Sequence, residues 1–482
     1  MRATALALAL LLGSSAVLSS GAPLQSDLDR IFADPLLARA LMAVRVEALR
    51  DGRLLFALND QKLVMPGSNM KIVTLAVAAD RLGWTFRYET RLEATGPVVD
   101  GTLRGDLIVT GAGDPSIGLP DEAVPAPLFA EWARALADTG IRRVQGRLIG
   151  DDNFFDDEGL GLTWSLDDIG AGYAAPAGAL SYNENAVTLR MAPGRASGER
   201  VELELAPPGH ELILSNELRT GSAGDPADLQ LLRRPGQPYL TVRGSVPAGA
   251  TSLTRTVSVD NPTRFFIEGL RTALAERGIQ IAGGAWDIDD AGDTAPASER
   301  RTIARHLSEP LSALAPRFAK ESQNFYGEMF VKSLGRHVAG EGTTAAGLAV
   351  VTETLSGWDL PSEELVIVDA SGLSRNNYLT AGALVEILER MWRDEAHREP
   401  FTAALPVAGR DGTLEWRMRG TVLEGRVHAK TGTISNVRAL SGYLDTQSGQ
   451  RLVFSMVANH FTAPSRDIDA IVERALARLA AE

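Results

Sequence analysis

Apolar positions along this chain repeat in three textures. Over residues 25–42 they return every third or fourth residue, at Leu28, Ile31, Leu36 and Leu37, which predicts a helix broken at Pro35. Residues 43–49 alternate apolar and polar. The turn signal Asp51-Gly52 and a second alternating run, 54–58, complete a β-hairpin. Pro66-Gly67 interrupts the pattern, and Ser68 opens an apolar helix over 69–82 that stops at Gly83. Between about 94 and 295 short alternating runs such as 102–109, 144–149, 186–191 and 201–205 are separated by Gly and Pro. Two helices, 126–139 and 262–277, interrupt them. Helical spacing returns over 311–335, 343–356 and 380–393. The chain then reads strand, strand, strand, helix, over 427–433, 439–445, 451–459 and 464–481. This pattern predicts an α+β molecule. One helix-and-sheet domain lies in two parts, 23–93 and 296–482, around a β-rich insertion, 94–295, of two subdomains.

The first 22 residues differ from the rest. Met1-Arg2 leads into an apolar run, 3–12, and then small residues to Ala22, the pattern of a secretory signal peptide. The run is too short to span a bilayer, and no cysteine follows it to carry a lipid. The expectation is an exported, periplasmic protein, soluble or loosely membrane-associated. Composition removes several chemistries. Of 482 residues, 48 are basic and 61 acidic, a net charge of −13 without any basic run, so nucleic-acid binding is not expected. There is no cysteine, which excludes disulfides, thiolate nucleophiles, Cys–zinc sites and iron–sulfur clusters. Only five residues are lysine, namely 62, 71, 320, 332 and 430, against 43 arginines. In such a sequence a lysine marks places where arginine would fail.

Lys71 follows Ser68 by three residues at the start of a helix, so the two side chains share a face. A serine needs a base to become a nucleophile. Lysine serves if burial or a second cation lowers its pKa, whereas arginine does not deprotonate. Lys430 opens Lys430-Thr431-Gly432-Thr433 on an expected strand, where a strand edge can pair with an extended peptide and the Lys and hydroxyls can hold a carboxylate. Between them stands Ser322-Gln323-Asn324, a hydroxyl and an amide in a helical region. Each alone is a weak signal. Their order, serine with Lys at +3, then S-x-N, then K-T-G, is specific, and S-x-x-K and K-T-G each occur once.

The set resembles the penicillin-recognising serine acyltransferases. The step of 254 residues from Ser68 to Ser322, then 108 to Lys430, is similar to the class C low-molecular-mass penicillin-binding proteins, the D-alanyl-D-alanine carboxypeptidase/endopeptidase family. Further segments resemble that family, including Gly111-Ala112-Gly113-Asp114-Pro115, Ser181-Tyr182-Asn183-Glu184-Asn185 and Asp369-Ala370-Ser371-Gly372-Leu373-Ser374-Arg375. Gln323 and Ala370 depart from it, standing where Asp and Gly are common; Gln323 is expected to alter contacts near Asn324.

The resemblance implies a split penicillin-binding, transpeptidase-like domain and a serine DD-peptidase acting on peptidoglycan stem peptides and cross-links. Penicillin and other β-lactams would be covalent inhibitors. It implies Ser68 as nucleophile, Lys71 as base, Ser322 and Lys430 as the proton route to the leaving amine, and Asn324 as the ligand of the substrate amide. The backbone N–H groups of Ser68 and Thr433 would form the oxyanion hole. Lys430, Thr431, Gly432 and Thr433 would line the substrate strand, and Arg375 would contact the stem. It implies neither metal nor cofactor, and the six histidines show no ligand spacing. His428 is expected to be structural. Asp151, Asp152, Asp156 and Asp157 would either meet a diaminopimelate amine or form a solvated loop. Lys62 and Lys332 are expected at the surface. A β-lactamase-like hydrolase is an alternative, although no carboxylate follows Ser68 at a suitable spacing. A non-catalytic wall-binding protein on the same fold is another.

Overall fold

The computed structural model describes residues 21–119 and 126–482. The expected export signal lies outside the described residues apart from its last two. No helix among the described residues is long and apolar enough to cross a membrane.

A five-stranded antiparallel sheet joins the two ends of the chain. Its order is Arg53–Leu58, Leu41–Ala48, Arg451–Asn459, Val437–Asp445, Val427–Ile434. Both faces are covered, and strand alternation assigns residues to each. Met42, Val44, Val46 and Ala48 pack with Leu440, Phe454 and Met456 under two helices, Gly21–Phe32 and Ser465–Ala480. Ala43, Ala439, Tyr443, Val453 and Val457 face the opposite layer, built from Met70–Leu82, Leu311–Lys320, Asn324–Leu334 and Ala381–Arg393. Met70 through Ala79 are all buried, which is why the helix 70–82 is apolar all round rather than on one stripe. Each large apolar side chain enclosed this way stabilises by about 1.5–3 kcal/mol.

The middle of the chain builds a second core. Helices Pro127–Asp138 and Pro262–Glu276 bring Phe129, Trp132, Phe265 and Phe266 together with Val187, Leu189 and Val257 of the sheet Glu202–Ala206, Ala186–Ala192, Leu253–Ser258. A five-stranded sheet takes Glu89–Ala94 and Arg301–Leu307 as neighbours. Those two strands carry this body to the edges of, and beyond, residues 94–295.

Four local differences from the sequence pattern have physical causes. The first helix ends at Phe32, and a 3-10 turn at Pro35–Leu37 is capped by Asp34. Leu41 and Met42 instead join the sheet, where pairing to Asn459 and Ala458 outweighs their helical spacing. The run 311–335 is two helices rather than one, because Ser322 adopts a left-handed φ of 61° that no α-helix accommodates. Glu395–Ala404 is a helix capped by Asp394 whose polar sequence and Pro400 hide its period. Lys332 is not at the surface. It is 1% exposed, pairs with Asp156 and lies 5.9 Å from the centre of the Phe155 ring. Lys62 is exposed.

Candidate active site

Pro66-Gly67-Ser68-Asn69 is a tight turn entering the helix Met70–Leu82. Two glycines let neighbouring backbone approach it. A Cβ on Gly432 would lie 2.4 Å from the Pro66 carbonyl oxygen, and one on Gly372 would lie 1.9 Å from that of Gly67. The strand Val427–Ile434 therefore runs against the turn on one side and the loop 369–375 on another. Asn69 Nδ2 donates to Ser441 Oγ at 2.6 Å and ties the turn to the sheet.

Lys71 lies beneath Ser68. Its Nζ is 3.1 Å from Ser68 Oγ, 2.6 Å from Asn324 Oδ1 and 2.8 Å from the Ser371 carbonyl oxygen. The side chain is 1% exposed. Burial brings its pKa down to about 7, against the opposing pull of Asp369 and Glu328. Of the two causes that could lower it, burial or a second cation, burial is the one at work. Lys430 is fully buried and held well below the usual lysine range by burial and then by Lys71. Its Nζ donates to Ser322 Oγ at 2.8 Å and to the Thr431 carbonyl at 2.9 Å. The left-handed turn at Ser322 points its hydroxyl toward this nitrogen. Asn324, at the start of the next helix, accepts from Lys71 and donates through Nδ2 to the Tyr173 carbonyl at 2.9 Å. One Nδ2 hydrogen remains for a ligand.

A cavity of about 550 Å³ opens over these groups. Ser68, Ser322, Asn324, Thr433 and Arg375 line it. Arg375 Nη1 donates to the Ser435 carbonyl at 3.1 Å across the rim. Lys71, Lys430 and Gly432 are buried behind these groups and do not line the cavity themselves. Thr431 is turned aside, its hydroxyl donating to Thr413 Oγ1 at 2.8 Å. The arrangement can deprotonate a serine and neutralise a carbonyl compound's negative charge in one cleft. His428 is half-buried on the same strand, and its pKa is lowered chiefly by burial.

Several lining groups are not among the sequence candidates. Thr163, Ser165, Asp168 and Tyr173 come from one loop of the inserted body, which reaches the cleft only on folding and carries no periodic signal. That loop is pinned by Trp164 Nε1 donating to Asp369 Oδ2 at 3.0 Å and by Thr163 and Ser374 hydroxyls 2.7 Å apart. Glu328 had a visible signal, a carboxylate four residues after Asn324 in an apolar helix. It accepts from the Ser371 N–H at 3.0 Å, and burial with Asp369 raises its pKa. The acids Asp152, Asp156 and Asp157 line a separate cavity of about 320 Å³ with Asp287 and Asp289, and Asp151 pairs with Arg300 at 2.5 Å. None of these four lines the Ser68 cleft.

The sequence profile of the D-Ala-D-Ala carboxypeptidase 3 (S13) family matches residues 24–479. The chain is 35% identical over 472 residues to the D-alanyl-D-alanine carboxypeptidase of Actinomadura sp. (strain R39), covering 94% of this chain and 85% of that one. It is 23% identical over 422 residues to D-alanyl-D-alanine carboxypeptidase DacB of Haemophilus influenzae, covering 86% and 84%. The crystal structure of penicillin binding protein 4 from Haemophilus influenzae superposes with a TM-score of 0.81 at 21% identity, covering 94% and 97%. The fold is therefore that of a penicillin-binding protein, a mixed helix-and-sheet molecule with several sheets. With a family match over nearly its whole length, this chain belongs to the D-Ala-D-Ala carboxypeptidase 3 (S13) family.

Proposed function

We propose that the protein is a serine DD-peptidase that cleaves the D-alanyl-D-alanine ends or D-Ala–diamino-acid cross-links of peptidoglycan through an ester on Ser68, and that β-lactams acylate the same oxygen. One observation carries the assignment of groups: a lysine held near pKa 7 by burial sits 3.1 Å from a serine hydroxyl at a cleft. In its neutral form Lys71 accepts the Ser68 proton as Oγ attacks the carbonyl carbon of the penultimate residue. The oxyanion lies between the N–H groups of Ser68 and Thr433, and losing one such donor raises a barrier by about 2.7–4 kcal/mol. As the tetrahedral intermediate collapses, Ser322, held by Lys430, passes a proton to the leaving amine, and the proton that Lys71 took from Ser68 replaces it. Water then hydrolyses the ester. Asn324 holds the substrate amide through its free Nδ2 hydrogen. Thr433, with Lys430 beneath it and Thr431 held by Thr413, faces the terminal carboxylate, while Arg375 at the rim meets the rest of the stem. The signal pattern over residues 1–22 supports export, with the reaction in the periplasm. Residues 23–93 and 296–482 are proposed as the catalytic body and the segment between as its insertion.

Incubation with a pentapeptide ending in D-Ala–D-Ala is expected to release free D-alanine, and Ser68→Ala to release none. A Ser68→Ala protein that still releases it refutes the assignment.

A further inference from the structure

The inserted body ends one of its turns on three consecutive left-handed residues, Asn183 (φ 54°), Glu184 (φ 53°) and Asn185 (φ 53°). None is glycine, and such a run persists only where the surroundings enforce it. Here they do. Asn185 Nδ2 donates to the Pro176 carbonyl at 2.9 Å and to Ser181 Oγ at 3.1 Å, and its Oδ1 accepts from the Tyr182 N–H at 3.2 Å. The Tyr182 ring packs 5.2 Å from Phe129 and 5.0 Å from Phe265, measured between ring centres. The turn is thus anchored in the second core.

What it presents is Glu184, 5% exposed. The carboxylate leaves its own body. Oε1 accepts from Arg317 Nε at 2.5 Å, and Oε2 accepts from Gln323 Nε2 at 2.6 Å. Gln323 stands between Ser322 and Asn324. It precedes the helix Asn324–Leu334 without making a side-chain cap bond, so that helix does not hold its side chain. Ser322 beside it is itself left-handed, at φ 61°. Two unfavourable turns, one in each body, are therefore joined by a single buried carboxylate with two partners. Arg317 takes one carboxylate oxygen and Gln323 the other.

We infer that Glu184 is a positioning residue for the peptidase reaction: it holds Gln323, and so fixes the turn that aims the Ser322 hydroxyl at Lys430 and the Asn324 amide at Lys71. The inference rests on the function proposed above. The inserted body then has a role in the chemistry as well as in shaping the cleft, and Gln323 is the residue through which it acts.

The test measures kcat and KM on a D-Ala–D-Ala peptide, with thermal unfolding, for the full-length protein and its variants. Gln323→Met removes the bond and leaves Glu184 with Arg317. It is expected to lower kcat about tenfold or more with KM moved less than about threefold, and to leave the unfolding temperature unchanged, since small misplacements of reacting groups act on the transition state. Glu184→Ala is expected to lose as much. Glu184→Gln, which keeps an acceptor for Gln323, should recover most of kcat, and the double variant Glu184→Ala, Gln323→Met should be no worse than the single ones. Wild-type kcat in Gln323→Met overturns the inference. So do losses that multiply in the double variant, or failure of Glu184→Gln to exceed Glu184→Ala. If Glu184→Ala does not fold, Gln323→Met decides alone. Wild-type turnover that survives Ser68→Ala would instead sink the underlying function.

Discussion

Lys71 separates the roles of lysine and arginine in this molecule. Its ammonium is surrounded by Ser68, Asn324 and the Ser371 carbonyl, and burial leaves it close to half-protonated at neutral pH. Below about pH 7 the amine carries its proton and cannot take another from Ser68. Acylation by a penicillin, followed by stopped-flow or gel fluorescence, is therefore expected to rise with pH to a midpoint of about 7 and then level. Lys71→Arg keeps the charge but removes the base, and should slow acylation by about 10²–10⁴-fold above pH 7, with the gap to wild type narrowing as pH falls. A flat profile would contradict the role given to Lys71. The lysine count made this residue legible in the sequence, because an Arg-preferring chain had retained Lys at +3 from a serine. Its pKa was not legible, since the desolvating wall, including the Phe318 ring 5.8 Å away, is assembled from a helix some 250 residues later. The role of Glu184 was illegible for the same reason: its partners Arg317 and Gln323 are distant in the chain.

At the scale of elements, the cleft depends on backbones that touch. The strand carrying Lys430 approaches the Ser68 turn so closely that Gly432 leaves no room for a methyl group. Gly432→Ala must push the strand away from Pro66, and with it the Thr433 N–H from the oxyanion. Acylation by penicillin is expected to fall about a hundredfold while circular dichroism stays native, as a displacement near 1 Å suffices for such a loss. Unchanged acylation would mean that the strand does not set the oxyanion hole. Strand and helix periods were legible along much of the chain because alternation and apolar spacing survive into the folded elements. They failed where tertiary contacts prevailed. Leu41 and Met42 followed their sheet partners, and Ser322 broke an apparently continuous helix to meet Lys430. Pattern alone reads an apolar stretch with one left-handed residue as one helix, because the backbone exception leaves no mark on hydrophobicity.

Among the described residues, the body carrying Ser68 and the body built from the middle of the chain are joined both at the cleft and away from it. Tyr173 and Trp164 of the inserted body bond to Asn324 and Asp369, Glu184 bonds to Arg317 and Gln323, and Asp156 pairs with the buried Lys332. The last contact is a test of the joint. Asp156→Ala leaves a lysine that is 1% exposed without its carboxylate, and is expected to destabilise by about 2 kcal/mol, read as a lower unfolding midpoint. Undiminished stability would show that the two bodies are held elsewhere. These joints were not legible in the sequence, because they carry no motif. The role of Ser68 as nucleophile is most directly tested by acylating the intact protein with a penicillin and mapping the adduct by peptide mass. One acyl group per chain is expected, on the peptide containing Ser68, and none in Ser68→Ala. An adduct on another residue, or one that persists in Ser68→Ala, would contradict it.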